Sequence, residues 1–474
     1  MSETKKSFAV ASAGYSVTIK AKIQNKIGNF ALIISKIAEL GGSLAEVSLL
    51  YTDFNYNIRE ITVSAKNEDA ARNLVAELGK FEFFEVQEWK DDTLTIHENG
   101  KIEVVSKSRL KTSDELARAY TPGVARICNM IHSDIENVYK YTIKNNTVAV
   151  VSDGTAVLGL GDIGPEAGIP VMEGKCALFK QFAGVNAFPI CLATQDTEEI
   201  IKTIKNIAPV FGGINLEDIS APRCFEIEER LIEELDIPVF HDDQHGTAVV
   251  VLAGAINACK LFGKKLEDLK VVVNGFGAGG VACIKILLGA GVKNIIACDT
   301  AGVAYRGRTE RMNVMKEEIV KVTNPENIKG TVGDAMVGAD MFLGVSQPGV
   351  ITRENVASMK KDPIVFTLAN PTPEIYPDEI RDIAGVIATG RSDYANQVNN
   401  VLCFPGIFRG AFDCRARKIS MGMKVAAANA IASAIPDERI TKTYIIPSVF
   451  ESNIGYSVAK AVREKAIEEG LARN

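Results

Sequence analysis

The segment Lys270 to Asp299 constrains the fold more than any other stretch of the chain. Lys270 to Val273 is a β-branched run suited to a buried parallel strand. It leads into Asn274-Gly275-Phe276-Gly277-Ala278-Gly279-Gly280, whose glycines at 275, 277 and 280 match G-x-G-x-x-G. Val281 to Leu288 continues as an apolar helix, and Asn294 to Cys298 as a second strand ending in Asp299. Glycine there permits a tight turn, close backbone approach to a pyrophosphate and close helix–strand packing. The helix start at Ala278, Gly279 and Gly280 offers amide donors and a positive dipole end. The whole reads as a Rossmann-type nicotinamide-binding unit. Asp299 stands where a ribose-binding carboxylate belongs, and it favours NAD over NADP because a carboxylate repels a 2′-phosphate. Arg306 and Arg308 follow closely and weaken that preference. A glycine turn kept only for packing is the competing reading.

A chain of 474 residues has room for two to four domains. With 47% hydrophobic and 24% charged residues it reads as globular rather than disordered. A net charge of −6 argues against a nucleic-acid surface. Nine scattered cysteines, without C-x-x-C spacing, argue for reduced thiols in the cytoplasm rather than a disulfide framework. No apolar run reaches the length of a membrane span. Met1 to Ala13 holds no signal-peptide core.

Residues 14–90 alternate as strand (Tyr15 to Ile23), helix (Phe30 to Leu40), two strands (Ala45 to Thr52, Asn57 to Ser64), helix (Asp69 to Leu78) and strand (Phe81 to Trp89). Gly28 breaks the chain before the first helix, and Gly41-Gly42 ends it. This βαββαβ order resembles an ACT domain, an α+β regulatory fold. The resemblance implies a module that binds a small effector or pairs with another copy. Residues 91–245 start with a linker over 91–105 and continue as an α/β segment for substrate and metal. Residues 246–474 hold the cofactor unit and two terminal helices, Met421 to Ser433 and Ile454 to Glu468.

Two acidic pairs stand at strand ends. Pro209 to Asn215 reads as a strand followed by Glu217-Asp218, and Ser220-Ala221-Pro222 as a capped helix start. Pro238 to Phe240 reads as the next strand, followed by His241-Asp242-Asp243. Open α/β sheets bind ligands beyond the carboxyl ends of their strands. Neighbouring strands would therefore gather carboxylates that are costly unless protonated or bound to a cation, and oxygen ligands suit Mg²⁺ or Mn²⁺. Taken alone, such pairs are more often solvated loops or helix caps. His241 and His245 lack a further His or Cys at zinc spacing and read as hydrogen-bonding or packing residues.

Together these motifs resemble the malic enzymes in their short bacterial form, from about Ser108 onwards. The marks are Ala119-Tyr120-Thr121-Pro122-Gly123-Val124 and Ser152-Asp153-Gly154-Thr155 with Leu158-Gly159-Leu160-Gly161-Asp162-Ile163-Gly164. Gly168-Ile169-Pro170-Val171-Met172-Glu173-Gly174-Lys175 follows, then the acidic pairs, Asn370-Pro371-Thr372-Pro373, and Asn399-Asn400 leading to Phe404-Pro405-Gly406. The resemblance implies oxidative decarboxylation of (S)-malate to pyruvate and CO₂ by a homodimer or homotetramer. It implies Tyr120 as general acid and Lys175 as general base, with Glu217, Asp218 and Asp243 holding the metal. Asp242 would sit behind Lys175, and Asn370 and Asn400 would bond the substrate. Larger members carry a substrate-clamping arginine where this chain has Ala156, which leaves Arg126, Asn side chains or backbone amides for the carboxylate. Some short relatives also carry an acyltransferase-like domain, for which this sequence has no room.

That chemistry gives each group a step. A base takes the C2 hydroxyl proton as hydride leaves. A metal stabilises the enolate left by CO₂ loss. An acid then protonates C3. A nicotinamide dehydrogenase for hydroxy or amino acids needs no acidic pairs, and a ligand sensor with an inactive body needs neither Tyr120 nor Lys175.

Overall fold

The computed structural model describes residues 11–157, 159–451 and 453–473. Leu158 of the glycine stretch and residues 1–10 lie outside the described residues. The chain divides into two compact units, Met1–Glu103 and Val104–Asn474.

The first unit runs β1 (Ser12–Gln24), α1 (Asn29–Glu39), β2 (Ser43–Thr52), β3 (Tyr56–Ala65), α2 (Glu68–Leu78), β4 (Phe84–Asp91) and α3 (Asp92–His97). Its strands form one antiparallel sheet in the order β2-β3-β1-β4. Val17, Ile19, Ala21 and Ile23 alternate onto one face of β1, where Ile33 and Ile37 of α1 and Leu74 of α2 cover them. Gly28 precedes α1 at φ 97°, a left-handed conformation that costs glycine little. The linker expected over 91–105 starts instead as α3. Asp91 caps that helix by accepting the Leu94 N–H at 2.9 Å, and the helix packs on β1.

The second unit opens with α4 (Ser113–Ala119), α5 (Gly123–Ser133) and α6 (Asn137–Tyr141). A first sheet follows, built from β5 (Thr147–Ser152), β6 (Asn186–Cys191), β7 (Gly213–Leu216) and β8 (Val239–His241). These strands are parallel, in the order β6-β5-β7-β8. They are connected by α7 (Pro165–Ala183), α8 (Thr197–Ile207) and α9 (Arg223–Glu234). Helix α10 (Asp242–Phe262) leads to a second sheet. Its strands are β9 (Lys270–Asn274), β10 (Asn294–Asp299), β11 (Gly302–Val303), β12 (Met341–Gly344), β13 (Ile364–Thr367) and β14 (Val386–Thr389).

The second sheet has the order β11-β10-β9-β12-β13-β14 and is parallel apart from the short β11. Its connections include α11 (Ala278–Gly289), α12 (Val314–Val322), α13 (Val332–Met336), α14 (Arg353–Ala357) and α15 (Pro377–Ile380). The chain closes with α16 (Phe404–Asp413), α17 (Met421–Ser433) and α18 (Ile454–Glu468). The central strands β5 and β9 are buried almost throughout, which explains their continuous apolar character. Among the described residues α10 is long and apolar enough to cross a membrane. Its Val249 to Ala255 stretch instead lies in the core, with the helix packed on α11 and α17.

Three local expectations change. Pro209 does not belong to a strand: Ala208–Val210 forms a short 3₁₀ turn and β7 starts at Gly213. Strand β8 likewise starts after Pro238. Proline has no N–H to give a central strand such as β7, whereas β8 is an edge strand of this sheet. Ser220 does not cap the next helix, because α9 starts at Arg223 and the Ser220 N–H bonds Thr155 Oγ1 at 3.0 Å.

Candidate active site

Strands β7 and β8 are neighbours in register, with Leu216 opposite His241. The next residues on each, Glu217-Asp218 and Asp242-Asp243, therefore leave the sheet side by side. Carboxylate oxygens of Glu217, Asp218 and Asp243 lie within 4.8 Å of one another. The Asp218 N–H donates to Asp243 Oδ2 at 2.7 Å, and Asn215 Nδ2 donates to Glu217 Oε2 at 2.9 Å. Burial pushes the Glu217 carboxyl up against the pull of Lys175, and Asp243 adds to that rise. Burial, then repulsion from Asp243 and Glu217, raises Asp218 well above the carboxylate range. Asp218 Oδ2 is buried without a hydrogen-bond partner. A hard divalent cation fits this set: it would engage that oxygen and relieve the repulsion.

Asp242 turns the other way, as consecutive residues on a helix do. Its Oδ2 accepts from Lys175 Nζ at 2.6 Å and from the Asn400 amide. Lys175, on α7, also meets Glu217 Oε1 at 2.7 Å and lies 4.3 Å from the centre of the Phe404 ring. It is only 7% exposed. Burial opposes its charge, yet Asp242, Glu217 and Asp243 outweigh that and hold its pKa above the usual lysine value. Glu228 of α9 accepts the His241 N–H at 2.9 Å and bonds His245 Nε2 at 3.0 Å. These bonds anchor the start of α10; the His245 ring is hydrogen-bonded, whereas both ring nitrogens of the buried His241 lack a hydrogen-bond partner, so its side chain packs.

The glycine loop leads from β9 to α11 as expected. A Cβ at Gly275, whose φ is 119°, would lie 2.5 Å from the Val345 carbonyl oxygen. One at Gly280 would lie 1.7 Å from the Gly275 oxygen. Only glycine fits either place. The loop borders a cavity of about 760 Å³ that reaches Asp299 and Lys316. Gly279 faces the Asp243 carbonyl, 3.6 Å from where its Cβ would be, so the cofactor helix starts beside the acidic cluster.

Asp299 ends β10 as expected, but two cations already hold it. Arg308 donates to both its oxygens at 2.9 and 2.7 Å, and Lys316 donates at 2.6 Å. Despite burial, these bonds hold its carboxyl down at about 2. Arg306 instead reaches the Thr323 and Pro325 carbonyls. Lys316 was not legible as a site residue, since it lies 17 residues on and no local pattern ties it to Asp299.

The remaining candidates lie on other elements. Tyr120 ends α4 and is 67% exposed. Asn370 is exposed, and its carbonyl faces Gly159. Arg126 lines an open hollow on α5 with Asn129, Ser133 and Asn137. Ala156 donates its N–H to the Asp218 carbonyl at 3.0 Å, and the cation on this turn is Arg223, bound to Asp153 and Thr155.

Comparison with known proteins agrees with this architecture. Residues 99–232 match the family model "Malic enzyme, N-terminal domain", and residues 244–467 match "Malic enzyme, NAD binding domain". The chain is 56% identical to an NAD-dependent malic enzyme of Geobacillus stearothermophilus, over 97% of this chain and 96% of the relative. It is 54% identical to a bifunctional malic/malolactic enzyme of Bacillus subtilis, over 81% and 94%. Among solved structures, the malic enzyme of Pyrococcus horikoshii is 47% identical with a TM-score of 0.77, covering 85% of this chain and 92% of that one. Sequence, fold and relatives converge: the chain belongs to the malic enzyme family.

Proposed function

We propose that this chain oxidises and decarboxylates (S)-malate to pyruvate and CO₂, reducing a nicotinamide dinucleotide with the help of Mg²⁺ or Mn²⁺. The observation that carries this reading is Lys175 Nζ, bonded to Asp242 and Glu217, beside the carboxylate triad and next to the start of the cofactor helix. When bound, the cation acts as a Lewis acid on the C2 oxygen and neutralises the carboxylates that hold it. Lys175 can accept the C2 hydroxyl proton once it has passed its own proton to Asp242, whose carboxyl is raised by burial, and a bound cation would favour that neutral amine. Asn400 fixes Asp242 for that role. The glycine loop aligns the cofactor, and NAD is favoured because relatives of this length include an NAD-dependent enzyme.

With malate, NAD and Mn²⁺, NADH and pyruvate should appear in equal amounts, and NADP should substitute less well. NADH without pyruvate would leave only a plain dehydrogenase. Titrating amino acids into the same assay tests the ACT-like reading of the first unit, which its strand order and antiparallel sheet support. Unchanged malate KM across all of them would leave an oligomerisation module. The nine free cysteines support a cytoplasmic location, which fractionation of the source cells tests: recovery outside the soluble cytoplasmic fraction would overturn it.

The reading also includes a homodimer or homotetramer in which a second copy brings Tyr120 to Lys175, where it protonates C3 of the enolate. Residues 104–146 contain no buried side chain, although Leu110, Leu116, Val124 and Ile135 lie exposed there. Exposed apolar side chains gathered on one segment support an interface there. Mixing the inactive variants Lys175→Ala and Tyr120→Phe should then restore about a quarter of wild-type turnover, since random pairing gives half mixed dimers, each with one intact site. No recovery on mixing means that Tyr120 acts within its own chain or not at all.

A further inference from the structure

Asp218 is held in a left-handed backbone conformation, φ 54°, which a residue with a Cβ adopts only when its surroundings enforce it. Its carboxylate is buried with one oxygen unpartnered. The enforcing contacts can be traced. The Asp218 N–H is tied to Asp243, and its carbonyl accepts the Ala156 N–H at 3.0 Å. Two residues on, the Ser220 N–H donates to Thr155 Oγ1 at 3.0 Å. The last two bonds run to the same short turn, Asp153 to Ala156, at the end of β5.

That turn is fixed in turn by Arg223, the first residue of α9. Arg223 Nη2 donates to Asp153 Oδ2 at 2.6 Å and to Thr155 Oγ1 at 2.7 Å. The Thr155 hydroxyl donates to Asp153 Oδ1 at 2.6 Å. One donor and two acceptor sites are thus all used, the full capacity of a hydroxyl. Asp153 is 1% exposed, and Arg223 is the cation paired with it. The other side of the turn faces α7. The Ile163 and Gly164 N–H groups donate to the Gly154 carbonyl at 3.1 and 3.2 Å. A Cβ on Gly154 would lie 2.2 Å from the Gly164 carbonyl oxygen. Pro165, the next residue, starts the helix that carries Lys175.

We propose that Asp153, Thr155 and Arg223 form a positioning bracket that sets the Asp218 carboxylate for cation binding and holds it in register with the helix of Lys175. The inference rests on the reading of Glu217, Asp218 and Asp243 as the cation site. The bracket acts through the backbone of Ala156, Asp218 and Ser220. Its members are positioning residues, joined across 65 to 70 positions of sequence.

The test is Mn²⁺ affinity of the full chain, measured by electron paramagnetic resonance without malate, beside NADH affinity measured by fluorescence. Thr155→Val keeps the side-chain shape and removes the oxygen that Ser220 and Arg223 share. It should weaken Mn²⁺ binding by about 10- to 100-fold, the usual cost of losing a partner behind a metal ligand, with NADH affinity unchanged. Thr155→Ser keeps the oxygen and should restore Mn²⁺ affinity to within about threefold of wild type. Wild-type Mn²⁺ affinity in Thr155→Val overturns the bracket. So does a joint loss of Mn²⁺ and NADH affinity, or a failure of Thr155→Ser to recover. If Thr155→Val does not fold, Arg223→Lys keeps a charge for Asp153 without the planar fork and is read the same way. A raised malate KM at wild-type Mn²⁺ affinity in that variant also overturns the bracket, because the guanidinium would then act on substrate. Failure of the wild type to bind Mn²⁺, or of Asp243→Asn to lose it, removes the cation site itself, an outcome separate from any result at Thr155.

Discussion

Asp243→Asn should eliminate stabilisation by Mn²⁺ while leaving the metal-free protein at least as stable as wild type. The two effects have opposite electrostatic origins. Without a cation, Asp243 raises its neighbours Glu217 and Asp218, so its charge works against the fold. The asparagine oxygen still accepts the Asp218 N–H that Asp243 Oδ2 accepts at 2.7 Å. With a cation, the same charge is a ligand. Wild-type protein at 100 times its Mn²⁺ dissociation constant should gain about 2.7 kcal/mol. The variant should gain nothing measurable, and its turnover should vanish. Thermal melts with and without Mn²⁺ read both effects. A Mn²⁺-dependent shift in the variant equal to that of wild type would falsify the ligand assignment.

Lys175→Ala should reduce turnover by about 10³-fold, within the range for loss of a general base. NADH affinity should persist, because the glycine loop over residues 275–280 makes its turn without Lys175. The variant should also lose more stability than wild type as pH rises. Asp242 and Glu217 are already raised by burial, and Lys175 is the group that pulls them back. Without it their folded pKa values rise further above the unfolded value of about 4. The folded state then binds more protons than the unfolded state, so stability falls as pH climbs above about 4 and levels off only above the raised folded values. Equilibrium denaturation between pH 5 and pH 8 measures this. Turnover near wild type would remove the base assignment, and a stability profile equal to that of wild type would mean that the carboxylates do not depend on Lys175.

Several parts of this molecule were legible because they are local. The glycine loop is one: turn geometry needs Gly275 and Gly280 wherever the rest of the chain goes. The acidic pairs are another, since parallel strands deliver their following residues to one edge of a sheet. Even the split within Asp242-Asp243 follows from helix geometry once the start of α10 is known.

Other features depend on pairings between distant residues, and no periodicity encodes those. Asp299 was expected where a ribose-binding carboxylate belongs, with Arg306 and Arg308 close behind in sequence; the folded chain pairs it with Arg308 and with Lys316, which the sequence did not mark. Asn400 reaches Asp242 across 158 residues. The cation site returns the same division. The sequence alone determined which carboxylates reach the sheet edge, because strand order and chain direction carry them there. Only the tertiary structure decided how closely they approach, that Glu217 as well as Asp242 bonds Lys175, and how Thr155 and Arg223 brace Asp218. The physical reason is that backbone periodicity acts over a few residues, whereas burial and ion pairing act through space between groups the chain brings together only when folded.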